Sequence, residues 1–223
     1  MGKRHEIKHQ ISYADLLTIR QRMKAVAGSD ANAIDGKYLI RSLYFDTPGD
    51  KALREKVDGV DNREKFRIRY YNFDTSFIRL EKKSKENGLG EKAMAKLSAE
   101  ESQRIVNGDT DWMYDSDEKL IRELYSKMKT TGLAPKTIVD YDREPFTFIP
   151  GNVRVTLDYN IRTGLRCTDF LNPHVITMPV PDDPIILEVK WDGYLPDIIR
   201  MAVGLENRRV GAYSKYAACR MYE

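Results

Sequence analysis

Hydrophobic and polar residues alternate along many short segments of the chain, and the clearest case is REKFRIRYYN at positions 63–72. Alternation with a period of two is the signature of a β-strand, because successive side chains point to opposite faces. In this segment Phe66 and Ile68 lie on one predicted face, whereas Arg67 and Arg69 lie on the other. The pattern therefore predicts a strand with an apolar side for a core and a strongly basic side whose role has to be explained.

Other segments have the alternation, or the β-branched and aromatic content, that is typical of strands. They are Arg4–Ile11, Tyr38–Asp46, Ser76–Lys85, Thr137–Ile149, Asn152–Arg162 and Ile185–Gly193. The turn-like residues 72–75 predict a hairpin between the strands on either side, and Pro150-Gly151 marks another turn. This order of strands and turns predicts an antiparallel sheet.

Helical periodicity appears between the strands. Two helices are predicted to begin after Ser12 and Ser98, because each serine is followed three positions later by an acidic residue that suits the first helical turn. The other predicted helices are Asp117–Thr131, Pro196–Val203 and Ser214–Tyr222. Helices of this kind are needed to cover the apolar faces of the predicted strands.

The domain organisation is predicted from the absence of repeats and of low-complexity tracts. The most linker-like stretches are Ser84–Glu91 (SKENGLGE) and Asn107–Asp117, and both are short. We therefore predict a single domain over residues 1–223.

The polar faces of the predicted strands share an unusual composition, because basic residues alternate there with carboxylates or hydroxyls. If the sheet closes with its apolar side under the helices, the charged side lines the inside of a barrel. Charges in such an interior are costly unless they pair or a ligand compensates them, and the surplus of cations indicates a polyanion. The faces concerned are Glu6/Lys8, Arg67/Arg69, Arg79/Glu81/Lys83, Arg154/Thr156/Asp158 and Glu188/Lys190.

Two glutamates, Glu6 and Glu188, stand two residues before a lysine on the same predicted face. Hard divalent cations prefer oxygen ligands, so such a carboxylate could hold a metal ion while the lysine holds a phosphate. The alternative for each pair is a salt bridge that contributes well under about 1 kcal/mol when it is exposed. The occurrence of two such pairs among many cations favours a metal site.

Composition limits the classes of function. The chain has 223 residues and a net charge of only +3, but positions 63–85 hold eight Lys or Arg against three Asp or Glu, so basic charge is concentrated locally. Two cysteines and three histidines make a structural zinc site an unsuitable interpretation. No signal peptide and no apolar run long enough to span a membrane is present, so we expect a soluble cytoplasmic protein.

An ordered set of motifs resembles the VTC-type polyphosphate polymerase domain, which is the catalytic domain of the vacuolar transporter chaperone complex and of its free-standing bacterial relatives. That domain belongs to the triphosphate tunnel metalloenzyme, or CYTH-like, superfamily. The resemblance covers the chain from about Lys3 to Glu223. The motifs are RHEIKH, SLYFDT, FRIRYY, IRLEKKSK, VDYDREPF, VRVTLDYNIR, LEVKW and AYSKYAACR.

The resemblance implies an α+β fold, an antiparallel β-barrel that forms a triphosphate tunnel with a charged lumen and helices packed on the outside. It implies a metal-dependent ATP:polyphosphate phosphotransferase, which transfers the γ-phosphoryl group of ATP to a growing polyphosphate chain and releases ADP. Mn²⁺ or Mg²⁺ would be bound by Glu188, with Glu6 as a second predicted ligand. The residues implied for catalysis and phosphate binding are Arg67, Arg69, Lys83, Arg154, Lys190, Lys8, Arg143, Lys215 and Lys92.

Some details of this assignment have alternatives. Lys96 competes with Lys92 for the same role, because the segment GEKAMAK matches the family loosely. Tyr141 and Tyr44 are candidates for nucleotide contacts, although tyrosines in such strands more often serve in packing.

Two departures from the family pattern change the expected function. Tunnel triphosphatases typically begin with E-x-E-x-K, whereas the same register here reads Arg4-x-Glu6-x-Lys8, which favours the polymerase branch over two-metal hydrolysis. The sequence also has no counterpart of the SPX domain or of the transmembrane region of the eukaryotic complex. We therefore expect neither inositol-phosphate control nor direct membrane translocation, and delivery of the product to a membrane partner protein stays open.

Other functions use similar residues. The alternatives are a tunnel triphosphatase that hydrolyses ATP or inorganic triphosphate, and a non-catalytic polyphosphate-binding module. Single-stranded nucleic acid also binds basic grooves with aromatic side chains. The carboxylates on the same faces argue against that ligand, since a phosphodiester backbone gains nothing from them.

Overall fold

The structure, a computed structural model, describes residues 4–30, 33–204 and 211–221. The strands are β1 (Arg4–Ile11), β2 (Gly28–Ser29), β3 (Tyr38–Asp46), β4 (Arg63–Tyr71), β5 (Asp74–Glu86), β6 (Leu89–Leu97), β7 (Ala134–Phe148), β8 (Val153–Thr163), β9 (Met178–Pro179) and β10 (Ile185–Asp192). The helices are α1 (Tyr13–Val26), α2 (Lys51–Val57), α3 (Ala99–Val106), α4 (Lys119–Thr131), α5 (Asp197–Val203) and α6 (Lys215–Arg220). None of the helices in the described ranges combines the length and the hydropathy that a membrane crossing requires.

The chain divides into two compact units. Unit 1 comprises Met1–Leu39, Tyr141–Ile161 and Pro181–Tyr213, and unit 2 comprises Ile40–Asp140, Arg162–Val180 and Ser214–Glu223. Strands β3, β7 and β8 contain residues of both units.

The sheet of unit 1 has the strand order β1-β10-β8-β7, and the short strand β2 pairs with β7. β10 pairs antiparallel with β1 on one side and with β8 on the other. The register places Glu6 opposite Lys190, and Lys8 opposite Glu188. Because side chains alternate along a strand, these four charged residues lie on one face, as the sequence predicts.

The opposite face of these strands carries the core of unit 1. Leu157, Leu187 and Val189 are buried there and pack with buried residues of α1 and α5. The predicted start of α1 is confirmed, because Ser12 Oγ accepts a hydrogen bond from the Asp15 backbone N–H and the Asp15 carboxylate accepts one from Ser12 N–H. The capping box therefore fixes the helix that covers this part of the sheet.

The sheet of unit 2 has the strand order β7-β3-β4-β5-β6, and β9 pairs with β8. Arg67 of β4 lies opposite Tyr44 of β3 on one side and opposite Glu81 of β5 on the other. The polar faces of three neighbouring strands are thus aligned in register.

The apolar faces of the same strands form the core of unit 2. Phe66, Ile68 and Leu80 are at most 1% exposed and pack with buried residues of α3 and α4. The predicted capping box at Ser98 and the predicted helix end at Gly132 are both confirmed, the glycine adopting the left-handed conformation that commonly ends a helix.

One segment of unit 2 differs from the sequence prediction. The stretch Ser84–Glu91 was predicted to be linker-like, but it forms the tip of a hairpin between β5 and β6. Asn87 and Gly88 both have positive φ, and Glu86 pairs directly with Leu89, which is the geometry of a two-residue turn between antiparallel strands. The prediction of a linker-like segment is therefore wrong.

Two helices also differ from the prediction. Helix α2 has no counterpart among the predicted helices, and it is held by Asp46, whose carboxylate accepts hydrogen bonds from the N–H groups of Ala52 and Leu53 at 2.9 and 3.1 Å. The C-terminal helix was predicted over Ser214–Tyr222; its N-cap at Ser214 is confirmed, and Tyr222 lies outside the described residues.

Candidate functional site

Four charged side chains on the polar face of unit 1 are linked by ion pairs, and we call them the Glu188 cluster: Glu6, Lys8, Glu188 and Lys190. Lys8 Nζ lies 3.0 Å from Glu188 Oε1 and also pairs with Glu6. Lys190 Nζ lies 3.2 Å from an oxygen of each glutamate. Each lysine therefore bridges both carboxylates.

The charge state of the cluster follows from these contacts. Burial alone would raise the pKa of Glu188, but the charges of Lys8, Lys190 and Arg143 outweigh it and hold the pKa well below the ordinary value of a glutamate. Burial and the charge of Glu188 raise the pKa of Glu6, yet the two lysines leave that pKa lowered as well. Both glutamates are therefore ionised at neutral pH.

The Glu188 cluster can be tested as a metal site. No group of three or more His, Cys, Asp or Glu side chains in the described part of the chain could hold a metal ion. Mg²⁺ commonly uses one or two carboxylates and completes its coordination with phosphate oxygens and water. Glu6 and Glu188 each pair with both lysines, so the two carboxylates lie close together, and their number matches the one or two that Mg²⁺ commonly uses.

Arg143 and Arg154 extend the polar face of unit 1. Arg143 Nε and Nη2 both donate to the carboxylate of Asp158 at 2.6 Å. Burial by itself would lower the pKa of Arg143, but Asp158 raises that pKa well above the usual value, so the guanidinium is always charged. Arg154 lies opposite Lys190 in the register and donates from Nη2 to Tyr38 Oη at 2.8 Å.

In unit 2 three cations surround one buried carboxylate, and we call Arg67, Arg69, Glu81 and Lys92 the Glu81 cluster. Arg67 Nη2 lies 2.7 Å from Glu81 Oε2. Arg69 Nη2 and Lys92 Nζ lie 2.9 and 2.7 Å from Glu81 Oε1. The Glu81 side chain is 0% exposed, so the cluster carries a surplus of positive charge around a single fully buried anion.

The register of β4, β5 and β6 extends this basic face beyond the Glu81 cluster. Lys83 of β5 lies opposite Lys65 of β4 and opposite Lys92 of β6. Like charges directly opposite each other destabilise a sheet. A face on which they recur is therefore suited to an anionic ligand that reduces their repulsion.

The pKa values reflect the same surplus of charge. Burial by itself would raise the pKa of Glu81, but Arg67, Arg69 and Lys92 lower it to about 2. Burial lowers the pKa of Lys92, and the charges of Arg69 and Arg67 lower it further against the attraction of Glu81.

We expect Glu81→Gln to lower the free energy of unfolding by about 3 kcal/mol at pH 7, because removing one partner of a buried ion pair leaves unpaired charge behind. The folded pKa of Glu81, about 2, is below the ordinary value of 4.5, so its contribution is complete above about pH 4.5 and disappears as the pH falls towards 2. Urea denaturation of both proteins between pH 7 and pH 2 measures this difference. If the difference in the free energy of unfolding between the two proteins stayed constant with pH, Glu81 would not stabilise the fold as an ionised carboxylate.

Two tyrosines connect the Glu81 cluster to the C-terminal helix α6. Tyr44 Oη accepts a hydrogen bond from Arg67 Nη1 at 2.8 Å, and its ring stacks on Tyr216 with 5.0 Å between the centroids. Tyr216 Oη donates to Asp46 at 2.6 Å; burial and this carboxylate raise the pKa of Tyr216. The cation Arg67 is therefore held in position from both strand and helix.

Most of the predicted site residues lie in one of two clusters, the Glu188 cluster in unit 1 or the Glu81 cluster in unit 2. Lys215 is the first residue of α6, next to Tyr216. Tyr141 is 2% exposed and lies under the Arg143 guanidinium, 5.4 Å from Cζ to the ring centroid, so its observed contact is with an arginine. Sequence reasoning missed the roles of Glu81 as a shared counter-ion and of Tyr216 as a support. The signal for Glu81 was its position between Arg79 and Lys83 on one strand face.

Two solved structures share the fold of this chain. A candidate adenylyl cyclase from Hippeastrum, described as having a dominant triphosphatase activity, superimposes with a TM-score of 0.57 at 14% identity, covering 96% of this chain and 93% of that one. A candidate adenylate cyclase from Bacillus halodurans gives a TM-score of 0.50 at 13% identity, with 92% and 88% covered. The predicted fold class is confirmed as α+β with antiparallel strands and helices on their apolar side.

The family of the chain follows from its sequence. The family model for the VTC domain matches residues 3–222, so the chain belongs to the VTC domain family, as the motifs predict. No curated protein matches the sequence significantly.

Proposed function

We propose that the protein is a polyphosphate polymerase that transfers the γ-phosphoryl group of ATP to the end of an inorganic polyphosphate chain and releases ADP. The observation that carries the proposal is the Glu81 cluster, in which three cations share one buried carboxylate on a strand face. Such a surplus of fixed donors suits an anion with several oxygens, and membership of the VTC domain family supports a phosphate chain as that anion.

Phosphoryl transfer depends mainly on positioning and on stabilising charge. A terminal oxygen of the polyphosphate chain attacks the γ-phosphorus of ATP, and the bond from that phosphorus to the bridging oxygen breaks, so that ADP leaves with the electron pair. The attacking oxygen is already anionic, and no side chain has to remove a proton from it. The side chains of the protein therefore act by binding and orienting phosphates.

The roles of individual residues follow from their donors. Arg67 and Arg69 each offer a planar fork of N–H groups that binds phosphate oxygens in pairs. Tyr44 and Glu81 hold the Arg67 fork in a fixed orientation, which avoids reorganisation when charge develops on the transferred group. Lys83, Lys92 and Lys215 are proposed as further phosphate ligands in unit 2.

In unit 1, Lys8, Lys190, Arg143 and Arg154 are proposed as phosphate ligands. Glu6 and Glu188 would hold the divalent ion, Mn²⁺ or Mg²⁺, since carboxylates suit both. When bound, the ion supplies Lewis-acid polarisation of phosphoryl oxygens. The lysines that neutralise the two glutamates in this structure would then be available to phosphates.

A tunnel triphosphatase is the second candidate, and the activity described for the Hippeastrum protein favours it. Against it stands Arg4 at the position where the triphosphatase pattern has its first glutamate. Arg4 Nε lies 3.9 Å from Asp192, so the position carries a cation that weakly pairs with a carboxylate. A non-catalytic polyphosphate-binding module is the third candidate.

We expect incubation with ATP and Mn²⁺ to yield ADP together with a ladder of polyphosphate chains on a urea–polyacrylamide gel. The ladder should be absent when EDTA replaces the metal. Free phosphate without a ladder would instead support the triphosphatase, and the absence of ADP would support the binding module.

A further inference from the structure

The basic face of unit 2 ends in a row of three cations, two of which, Arg79 and Lys96, have no part in the proposed phosphate transfer. Arg69 of β4 lies opposite Arg79 of β5, and Arg79 lies opposite Lys96 of β6. This row stands two residues, or roughly 7 Å, along the strands from the row that contains Arg67 and Glu81. Whatever binds the row is therefore adjacent to a ligand on the Glu81 cluster.

A β-bulge brings an aromatic ring to this end of the face. Between Arg69 and Tyr71 the partner on β5 shifts from Arg79 to Asp74, so β5 carries extra residues at this point. Phe77 lies in that extra segment and is 39% exposed, whereas the next residue, Ile78, is fully buried. Bulges commonly re-aim a side chain next to a functional site.

Arg79 is fixed by uncharged neighbours. Its Cζ atom lies 4.2 Å from the centroid of the Phe77 ring, and its Nη1 lies 3.9 Å from the sulfur of Met94. Neither Arg79 nor Lys96 forms an ion pair with a carboxylate in the part of the chain that the structure describes. Among the described residues, Arg79 thus contacts an aromatic ring and a sulfur atom but no carboxylate within 4 Å, unlike Arg69, which pairs with Glu81.

The Phe77 ring, the Arg79 guanidinium and the nearby Lys96 suit a ligand that has both a flat ring and phosphate groups. A nucleobase stacks on aromatic rings and on arginine guanidinium groups, and its attached phosphates are attracted by cations. Phe77 and Arg79 provide the stacking surfaces, Arg69 lies over the ring of Tyr71 at 5.1 Å beside them, and Lys96 adds charge. A bare phosphate chain would gain nothing from Phe77.

We propose that Phe77 and Arg79 form a nucleobase subsite for a nucleoside triphosphate whose phosphates lie on the Glu81 cluster. The inference rests on the proposed function in one respect, namely that a nucleoside triphosphate binds to this face. It adds the direction of the substrate: the base lies at the Phe77 end of the strands, and the phosphates extend towards Lys83 and Lys92.

The test compares two ligands that differ by the nucleoside. A non-hydrolysable ATP analogue and inorganic triphosphate are titrated calorimetrically into the full chain, both without a divalent metal so that neither is turned over. Phe77→Leu keeps apolar volume and removes the aromatic ring. We expect it to raise the Kd of the ATP analogue at least about fivefold, the effect of losing one base–aromatic contact, and to change the Kd of triphosphate less than about twofold.

Two further variants keep the result interpretable. Phe77→Tyr retains a ring and should bind the ATP analogue like the wild type, and Leu89→Ala, an exposed apolar change at the other end of β6, should alter neither Kd. Equal effects of Phe77→Leu on both ligands, or no effect on the ATP analogue, would overturn the subsite alone. Failure of the wild type to bind either ligand, also after Mn²⁺ is added, would overturn the proposed function and the subsite with it.

Discussion

Arg67→Ala is expected to lower the rate of ATP turnover by about a hundredfold or more while unit 2 stays folded. The loss of one preorganised donor to a developing negative charge typically costs this much in kcat. The fold should persist because Glu81 keeps two cationic partners, Arg69 and Lys92, at 2.9 and 2.7 Å after the substitution. Steady-state kinetics and thermal melting of the same preparation measure the two effects.

The matched control for this variant is Lys82→Ala. Lys82 is a cation on β5, one residue from Glu81, but it lies on the other face and pairs with Glu64 at 3.0 Å and with Glu123. Turnover should stay within about twofold of the wild type. A similar loss of turnover in both variants would mean that general basic charge, and not the Arg67 face, supports the reaction.

Ile68→Asp is expected to unfold unit 2, although it is the neighbour of Arg67 in the chain. Ile68 is 0% exposed within the apolar core. Burying an unpaired carboxylate there costs several kcal/mol, a large part of the 5–15 kcal/mol by which domains are usually stable. Loss of the cooperative melting transition in circular dichroism would show it.

The control at this position is Ile68→Val, which removes one methylene and should cost only about 0.5–1.5 kcal/mol. If Ile68→Asp melted like the wild type, the assignment of the two strand faces would be wrong. Because Arg67 and Ile68 are adjacent, the different effects of their substitutions on stability test which face of β4 each side chain lies on, without any assay of activity.

Strand faces were predictable from the sequence because alternation is a local property. The register of β1 with β10 confirms that Glu6, Lys8, Glu188 and Lys190 share one face. Capping signals were equally local, as the hydrogen bonds at Ser12 demonstrate. These strand faces and helix starts depend on neighbouring residues alone, which is why the sequence predicts them.

Strand β6 was not predicted because most of its residues have a low propensity for β-strands. The segment LGEKAMAKL has glycine, alanine and lysine where a typical strand has β-branched or aromatic residues, and several of its side chains are exposed. The missed signal was Asn87-Gly88, the dipeptide that best suits a two-residue hairpin turn. The strand is held by its pairing with β5.

Contacts between side chains that are far apart in the sequence could not be predicted from one sequence. Arg41 stands in the apolar segment YLIRSLYFD and is 2% exposed, yet its guanidinium pairs with Asp140, which lies 99 residues later, at 2.8 Å. The contact of Tyr216 with Asp46 joins residues 170 positions apart. Such pairs depend on the fold itself, so alternation and capping carry no information about them.

A crystal structure with a non-hydrolysable ATP analogue and Mn²⁺ would show whether the charged strand faces bind phosphates. We expect phosphate oxygens within hydrogen-bonding distance of the Arg67 and Arg69 guanidinium groups, and a manganese ion at the Glu188 carboxylate. A ligand bound elsewhere, with no phosphate oxygen in contact with Arg67 or Arg69, would mean that these strand faces do not form the phosphate site.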